Sequence, residues 1–289
     1  MRRALITVYY PSDGVKSNVT KVAKQVDVVY ICDNSPSCNN EMFASGDGLD
    51  NVKYIWFGEN LGLSRAFNSV LEDVSLSWND DDYVVFFDQD SSIEEGHIDS
   101  LIAEFEKLQA LGHKIGCLGP VYFNTSSGCV ERPKMKTPLN ETSFAVSSII
   151  TSSMLCTYVG LRRIGFWNEN VFLDMADWDI CWRMRKSGQL CCLTEVATLH
   201  HSLGNGEKKI GPLRLRVGSP FREYYQIREA LFLLTQSYTP LKFRIRFVAM
   251  IFVRSPLHIL FLEHRKERIK YISMGVRDFF KKEHGALKL

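Results

Sequence analysis

Short apolar runs alternating with amphipathic stretches dominate the first part of the chain. Ala4–Tyr9, Val26–Cys32, Val52–Phe57 and Tyr83–Phe87 are rich in β-branched and aromatic residues and predict buried strands. Val15–Gln25, Leu63–Val74 and Glu94–Leu111 carry apolar residues at helical spacing. This alternation predicts an α/β fold built on a doubly wound, mostly parallel sheet. Shorter strands follow from Ile115 to about Ile150, broken by turns at Ser126-Ser127-Gly128 and Thr137-Pro138. Helices are predicted at Thr157–Ile164 and Asp177–Lys186, and short strands at Cys191–Thr194 and Ala197–His201. After a glycine-rich stretch, Gly204–Gly218, the pattern turns helical: Pro220–Gln236, Pro240–Arg254 and Pro256–Lys282. A boundary in that stretch divides an α/β region, 1–210, from a helical region, 211–289.

Composition adds one asymmetry. The chain has 289 residues, 45% hydrophobic and 24% charged, which suits a globular domain with a sizeable core. The net charge of +2 hides a split between the two regions. Residues 1–210 hold 19 Lys and Arg against 27 Asp and Glu, and residues 211–289 hold 16 against 6. An acidic body with a basic tail predicts that the tail faces a polyanion, membrane or nucleic acid. The eight cysteines form no Cys-x-x-Cys unit and read as small buried hydrophobes of a reducing compartment. No leader is predicted, and no membrane-spanning helix, because Arg254 and Pro256 interrupt the most apolar window, Phe247–Leu262. A dinucleotide site and a P-loop are both disfavoured, since Tyr10-Pro11-Ser12-Asp13-Gly14 follows the first strand and no Gly-Lys-Ser/Thr occurs.

Candidate chemistry centres on Phe86-Phe87-Asp88-Gln89-Asp90, at the end of the fourth strand. Side chains two apart on an extended segment project the same way, so Asp88 and Asp90 would converge and attract a hard cation, Mg²⁺ or Mn²⁺. The alternative is a strand exit whose acids cap a turn. Asp33-Asn34-Ser35 after the second strand could meet a base or ribose, or be a plain turn. In Asn60-Leu61-Gly62-Leu63-Ser64-Arg65, Asn60 reads as a helix N-cap, Gly62 permits close approach, and Arg65 could reach a phosphate. Asp174, Asp177 and Asp179 stand among Phe, Leu, Met and Trp, where a carboxylate is tunable as a general base. His201 ends a strand and could ligate a metal or contact phosphate. On the next helix Arg222, Tyr225 and Arg228 share a face, for gripping a pyrophosphate or simply for packing.

In order and spacing these segments resemble the inverting glycosyltransferases of family 2, of the GT-A fold, and among them bacterial rhamnosyltransferases of O-antigen or cell-wall polysaccharide synthesis. The resemblance runs over about residues 4–285, and its most specific pieces are Asn60–Asn68, Phe86–Ser91, Phe172–Arg183, His201–Gly204 and Arg222–Arg228. It implies Asp177 as catalytic base, with Tyr9, Asp33, Asn60, Gly62, Arg65 and Asp88 on the nucleotide sugar. Asp88, Asp90 and His201 would serve the metal; Asp174, Trp178, Arg222, Tyr225 and Arg228 would contact the acceptor or diphosphate. The implied donor is dTDP-L-rhamnose, or else a UDP-linked hexose, and the implied acceptor a lipid-linked oligosaccharide. The chain departs from the family pattern at Ala176, Ser35-Pro36 and Glu229, where an acid, Gly-Ser and Asn are commoner.

The basic helices, which include Leu241–Phe247 and Leu262–Lys282, predict peripheral contact with the cytoplasmic face of the inner membrane, or else simple packing on the chain's own catalytic domain in a cytoplasmic protein. Nucleic-acid binding leaves the acidic clusters without a role. A sugar-nucleotide pyrophosphorylase would need a Gly-rich basic loop after the first strand, which Tyr9-Tyr10-Pro11 does not supply.

Overall fold

The computed structural model describes residues 1–44, 49–124, 129–131, 133, 136–201, 207–210 and 213–287, with backbone alone at 124, 129–131, 200–201, 207–210 and 213–216. The first half alternates β1 (Arg2–Val8), α1 (Gly14–Ala23), β2 (Val28–Asp33), β3 (Val52–Trp56), α2 (Gly62–Leu71), β4 (Tyr83–Asp88) and α3 (His97–Ala110). Next come β5 (Ile115–Asn124), β6 (Cys129–Glu131), β7 (Thr137–Pro138), β8 (Ser143–Val146), β9 (Met154–Thr157), α4 (Tyr158–Arg163), α5 (Ala176–Lys186) and β10 (Leu190–His201). A hairpin, β11 (Glu207–Ile210) with β12 (Leu213–Arg216), leads into α6 (Pro220–Thr235), α7 (Leu241–Ala249), α8 (Ser255–Phe261) and α9 (Arg265–Phe280).

The sheet runs β3-β2-β1-β4-β9-β5-β10-β8-β7, with β6 on β5. Strands β1 to β4 are mutually parallel, and β9 returns antiparallel between β4 and β5. Strand alternation sends successive residues to opposite faces. Leu5, Tyr30, Cys32, Val84 and Phe86 meet Phe67 and Val70 of α2, Ile180 and Trp182 of α5, Leu233 of α6 and Phe247 of α7. Ala4, Ile6, Val29, Ile31, Val85 and Phe87 meet Val19 of α1 and Leu101 and Phe105 of α3. Helices α6 and α7 therefore share a core with the sheet. The seven cysteines with described side chains form no disulfide, and all but Cys38 are buried.

Three features depart from the expected elements. Leu190–His201 is one strand rather than two, because a bulge between Thr194 and Thr198 keeps it paired with β5. The expected glycine-rich boundary holds the β11–β12 hairpin, while 202–206 and 211–212 lie outside the described residues. Pro256 does not end its helix: a π-turn at Met250–Arg254 absorbs the missing donor, and α7 continues into α8. The break falls instead at His264, whose φ is +60°.

Candidate active site

The carboxyl ends of β2, β1, β4 and β3 lie side by side, with Val8 paired to Asp33, Thr7 to Asp88 and Asp33 to Trp56. Strand order reverses between β1 and β4, the crevice where open α/β sheets take ligands. Asp88 is the last residue of β4 at that crevice. The strand stops there because the next turn is pinned: the Tyr9 amide donates to Gln89 Oε1 (2.8 Å), Asn18 Nδ2 to the Gln89 carbonyl (3.1 Å) and the Ser91 amide to the Asp88 carbonyl (3.1 Å). Asp90 thus lies on an exposed turn, not two positions along an extended strand, and the alternation argument for its direction does not apply.

Asp177 enters from the other side, in the first turn of α5. The buried run Thr151-Ser152-Ser153, between Ile150 and Met154, links the two acids. Ser152 Oγ donates to Asp88 Oδ2 (2.5 Å), and Thr151 Oγ1 donates to Asp177 Oδ1. Ser153, at φ +63°, anchors the run through its amide to the Phe86 carbonyl (2.7 Å). Burial pushes the Asp177 carboxyl up to about 7; the Thr151 hydroxyl opposes this and the Asp88 charge adds to it. That value suits a general base at neutral pH. Three hydroxyl residues between apolar neighbours were the available signal for this bridge, and sequence reasoning passed over them.

The loop leading to Asp177 is clamped from both sides. On one side, Leu63 N donates to the Phe172 carbonyl (2.9 Å) and Ser64 Oγ to the Val171 carbonyl (2.7 Å). Asn68 exchanges a pair of bonds with the Trp167 backbone (2.9 and 3.0 Å). Helix α2 starts one residue later than an Asn60 cap implies, yet Asn60 Oδ1 still accepts from the Gly62 amide (2.9 Å). Gly62 has φ +78°, and a Cβ there would stand 2.5 Å from the Phe172 ring and 2.6 Å from its carbonyl oxygen. Gly62→Ala is expected to lose about 2 kcal/mol or more through combined clash and backbone strain, read as a drop in melting temperature. An unchanged melting temperature would show that this contact gives way freely.

On the other side stands Glu229, a buried residue that sequence reasoning noted only as a departure. Its Oε1 accepts from the Phe172 and Leu173 amides (3.0 Å each) and its Oε2 from the Met175 amide (3.1 Å). Burial, reinforced by Asp174, raises its pKa to about 8 against the pull of those donors. Asp174 is held by the Arg222 fork, with Nε at 3.2 Å from Oδ1.

Other expected residues have their own partners. Asp33 is fully buried; it accepts from the Ser35 amide (2.7 Å), Asn39 Nδ2 (2.9 Å) and the Tyr54 hydroxyl (2.6 Å). Beside it Trp56 is 45% exposed. Tyr9 and Arg65 are exposed. Asp179 pairs with Arg183 (2.7 Å), Asn168 (3.0 Å) and Tyr238 and so braces α5. Tyr225 stacks on Phe172 with centroids 4.6 Å apart, and Arg228 donates to the Tyr224 hydroxyl (2.9 Å) and the Gly285 carbonyl (2.8 Å). Trp178 packs on Phe243 and Phe247 of α7. The His201 side chain lies outside the described residues, although its backbone ends β10.

Asp88, at the crevice, offers hard carboxylate oxygens of the kind that suit Mg²⁺ or Mn²⁺ completed by water and substrate phosphate, and the exposed Asp90 two residues on is the second candidate ligand. Among the described residues, three ligating side chains come within 4.8 Å of one another only at Cys117, Cys181 and Cys191, which are soft and buried in the core.

The chain resembles known proteins in both sequence and fold. A dTDP-rhamnosyl transferase, RfbF of Shigella flexneri, is 26% identical over 287 residues, 94% of this chain and 92% of that protein. The fold matches a solved structure of GalNAc-T7 with UDP, GalNAc and Mn²⁺ at a TM-score of 0.58 and 13% identity, covering 98% of this chain and 57% of that one. The shared architecture is the GT-A fold. Residues 4–156, more than half of the chain, match the sequence model "Glycosyl transferase family 2", and the chain belongs to that family.

Proposed function

We propose that this transferase moves L-rhamnose from dTDP-L-rhamnose, with inversion, onto a hydroxyl of a lipid-linked glycan. The observation that carries the chemistry is Asp177, poised near neutrality by burial and hydrogen-bonded by Thr151, with Asp88 across the Thr151-Ser152 bridge. The donor class rests on the 26% identity to a dTDP-rhamnosyl transferase across nearly the whole chain.

In this reading the acceptor hydroxyl gives its proton to Asp177 as its oxygen attacks the anomeric carbon, and the nucleoside diphosphate leaves from the opposite face. One displacement from one side inverts the centre. Mg²⁺ or Mn²⁺ at Asp88 and Asp90 would offset charge on the leaving diphosphate. Asp33 orders the turn carrying Ser35 and Asn39, and the exposed Trp56 face beside it offers a platform for the base.

The test is release of nucleoside diphosphate from a panel of dTDP- and UDP-sugars with Mn²⁺ and a polyprenyl-linked glycan acceptor. Turnover with dTDP-L-rhamnose and little with UDP-hexoses is expected; the reverse preference sinks the donor assignment. EDTA is expected to abolish turnover and Mn²⁺ to restore it, with Asp90→Asn raising the half-saturating Mn²⁺ concentration by about tenfold, close to 1.4 kcal/mol. Full activity in EDTA would remove the metal from this scheme.

A further inference from the structure

We propose that the continuous helix formed by α7, its π-turn and α8 docks flat on the surface of an anionic bilayer. Residues 241–261 span about 30 Å at 1.5 Å per residue. Leu241, Ile245, Val248, Phe252 and Leu260 recur at helical spacing along one side and are 72, 63, 45, 73 and 56% exposed. Pro256, also exposed, fills the gap in that row. The opposite side is committed to the protein: Phe247, Ser255 and His258 are buried, and Phe243, Met250 and Ile251 pack against the core. Large apolar side chains in one exposed row mark an interaction surface rather than ordinary scatter.

Charge selects the partner. The segment has no Asp or Glu between positions 241 and 261; of its cations Lys242 and Arg246 are exposed, while Arg244 donates to the Thr239 and Gln236 carbonyls and Arg254 to Gln226 Oε1. Just past the segment's end the exposed Arg265 and Lys266 stand between the exposed Glu263 and Glu267, so residues 263–267 add no net charge and the positive charge belongs to the helix itself. An apolar row with basic flanks matches the acyl boundary and headgroups of anionic lipid. Pairing two copies through this face would set the same cations against each other. Among the described residues no helix is long and apolar enough to cross a membrane, which suits a helix lying in the interface.

The docked helix touches the catalytic one. Phe243 and Phe247 pack on Trp178, with centroids 5.3 and 6.0 Å away, and the Arg246 guanidinium sits 5.1 Å over the same ring. Trp178 follows Asp177 on α5, so docking brings the base-bearing helix to the bilayer surface. The inference rests on exposure and charge, and it holds whichever sugar is transferred.

Flotation of the full chain, without substrates, tests it on vesicles of phosphatidylcholine alone or mixed with phosphatidylglycerol. The wild type is expected to float with the phosphatidylglycerol vesicles and to be largely released by about 0.5 M salt, where screening is short-ranged. Ile245→Glu/Phe252→Glu is expected to bind at least about tenfold less with an unchanged melting curve, because both side chains are exposed. Lys242→Gln/Arg246→Gln, which leaves the apolar row intact, should lose the preference for phosphatidylglycerol. Wild type remaining soluble with both vesicle types overturns the proposal. So does a concentration-dependent dimer that Ile245→Glu/Phe252→Glu abolishes without any vesicle binding, which would make this face a contact between copies.

Discussion

Asp177→Asn is expected to bind the nucleotide sugar like the wild type and to turn over about 10²–10⁴-fold more slowly. The amide keeps an oxygen for the Thr151 hydroxyl but cannot take a proton from an acceptor. In the wild type, kcat/KM should rise with pH through about 7, because only the ionised Asp177 is a base. The stability consequence has the opposite sign. A carboxyl whose folded pKa lies above its ordinary value favours folding below that ordinary value and loses this as pH rises through the folded one. Asp177→Asn should therefore raise the melting temperature at pH 8 and do little at pH 4. Calorimetry at both values, beside donor binding and steady-state kinetics, checks each part. Near wild-type kcat in the variant would remove Asp177 from the chemistry.

Glu229→Leu is expected to be the most damaging substitution outside the reacting groups. It leaves the Phe172, Leu173 and Met175 amides without their acceptor inside a packed loop. Each unpaired buried donor costs about 1–3 kcal/mol, against a total stability of about 5–15 kcal/mol for an ordinary domain. The melting temperature should fall sharply, and kcat should fall more than donor affinity, since the loop leads to Asp177, the proposed base, and not to the crevice between β1 and β4. Glu229→Gln retains one accepting oxygen, for the Phe172 and Leu173 amides, and should recover much of both. The folded pKa of about 8 adds a pH signature: wild-type stability should decline as pH rises through 8, and Glu229→Gln should lack that decline. Wild-type melting and kcat in Glu229→Leu would show that the three bonds do not hold the loop.

The sheet was legible because its central strands are buried on both faces, which forces apolar runs such as Ala4–Val8 and Val84–Phe87. Asp88 and Asp177 stood out as candidates for the converse reason: acids in apolar surroundings are costly to bury. What joins them did not. Ser152 lies 64 residues past Asp88, and Thr151 lies 26 residues before Asp177, in no periodic pattern. Only the antiparallel return of β9 beside β4 brings them there. Glu229 was hidden in the same way, since a buried acid on an amphipathic helix looks like a solvated one until its partners are placed. Pro256 misled because a proline ordinarily ends a helix, and the π-turn before it has no simple sequence signature.

The clamp on the Phe172 loop constrains how such enzymes can be recombined. Its two jaws come from distant parts of the chain, Leu63–Asn68 and Glu229, while the family match ends at residue 156. A chimera that exchanges the chain beyond that point must therefore carry α6 along with the loop it grips. Cutting the chain ahead of α6 would leave the β1–β4 crevice whole and the loop before Asp177 without its Glu229 jaw.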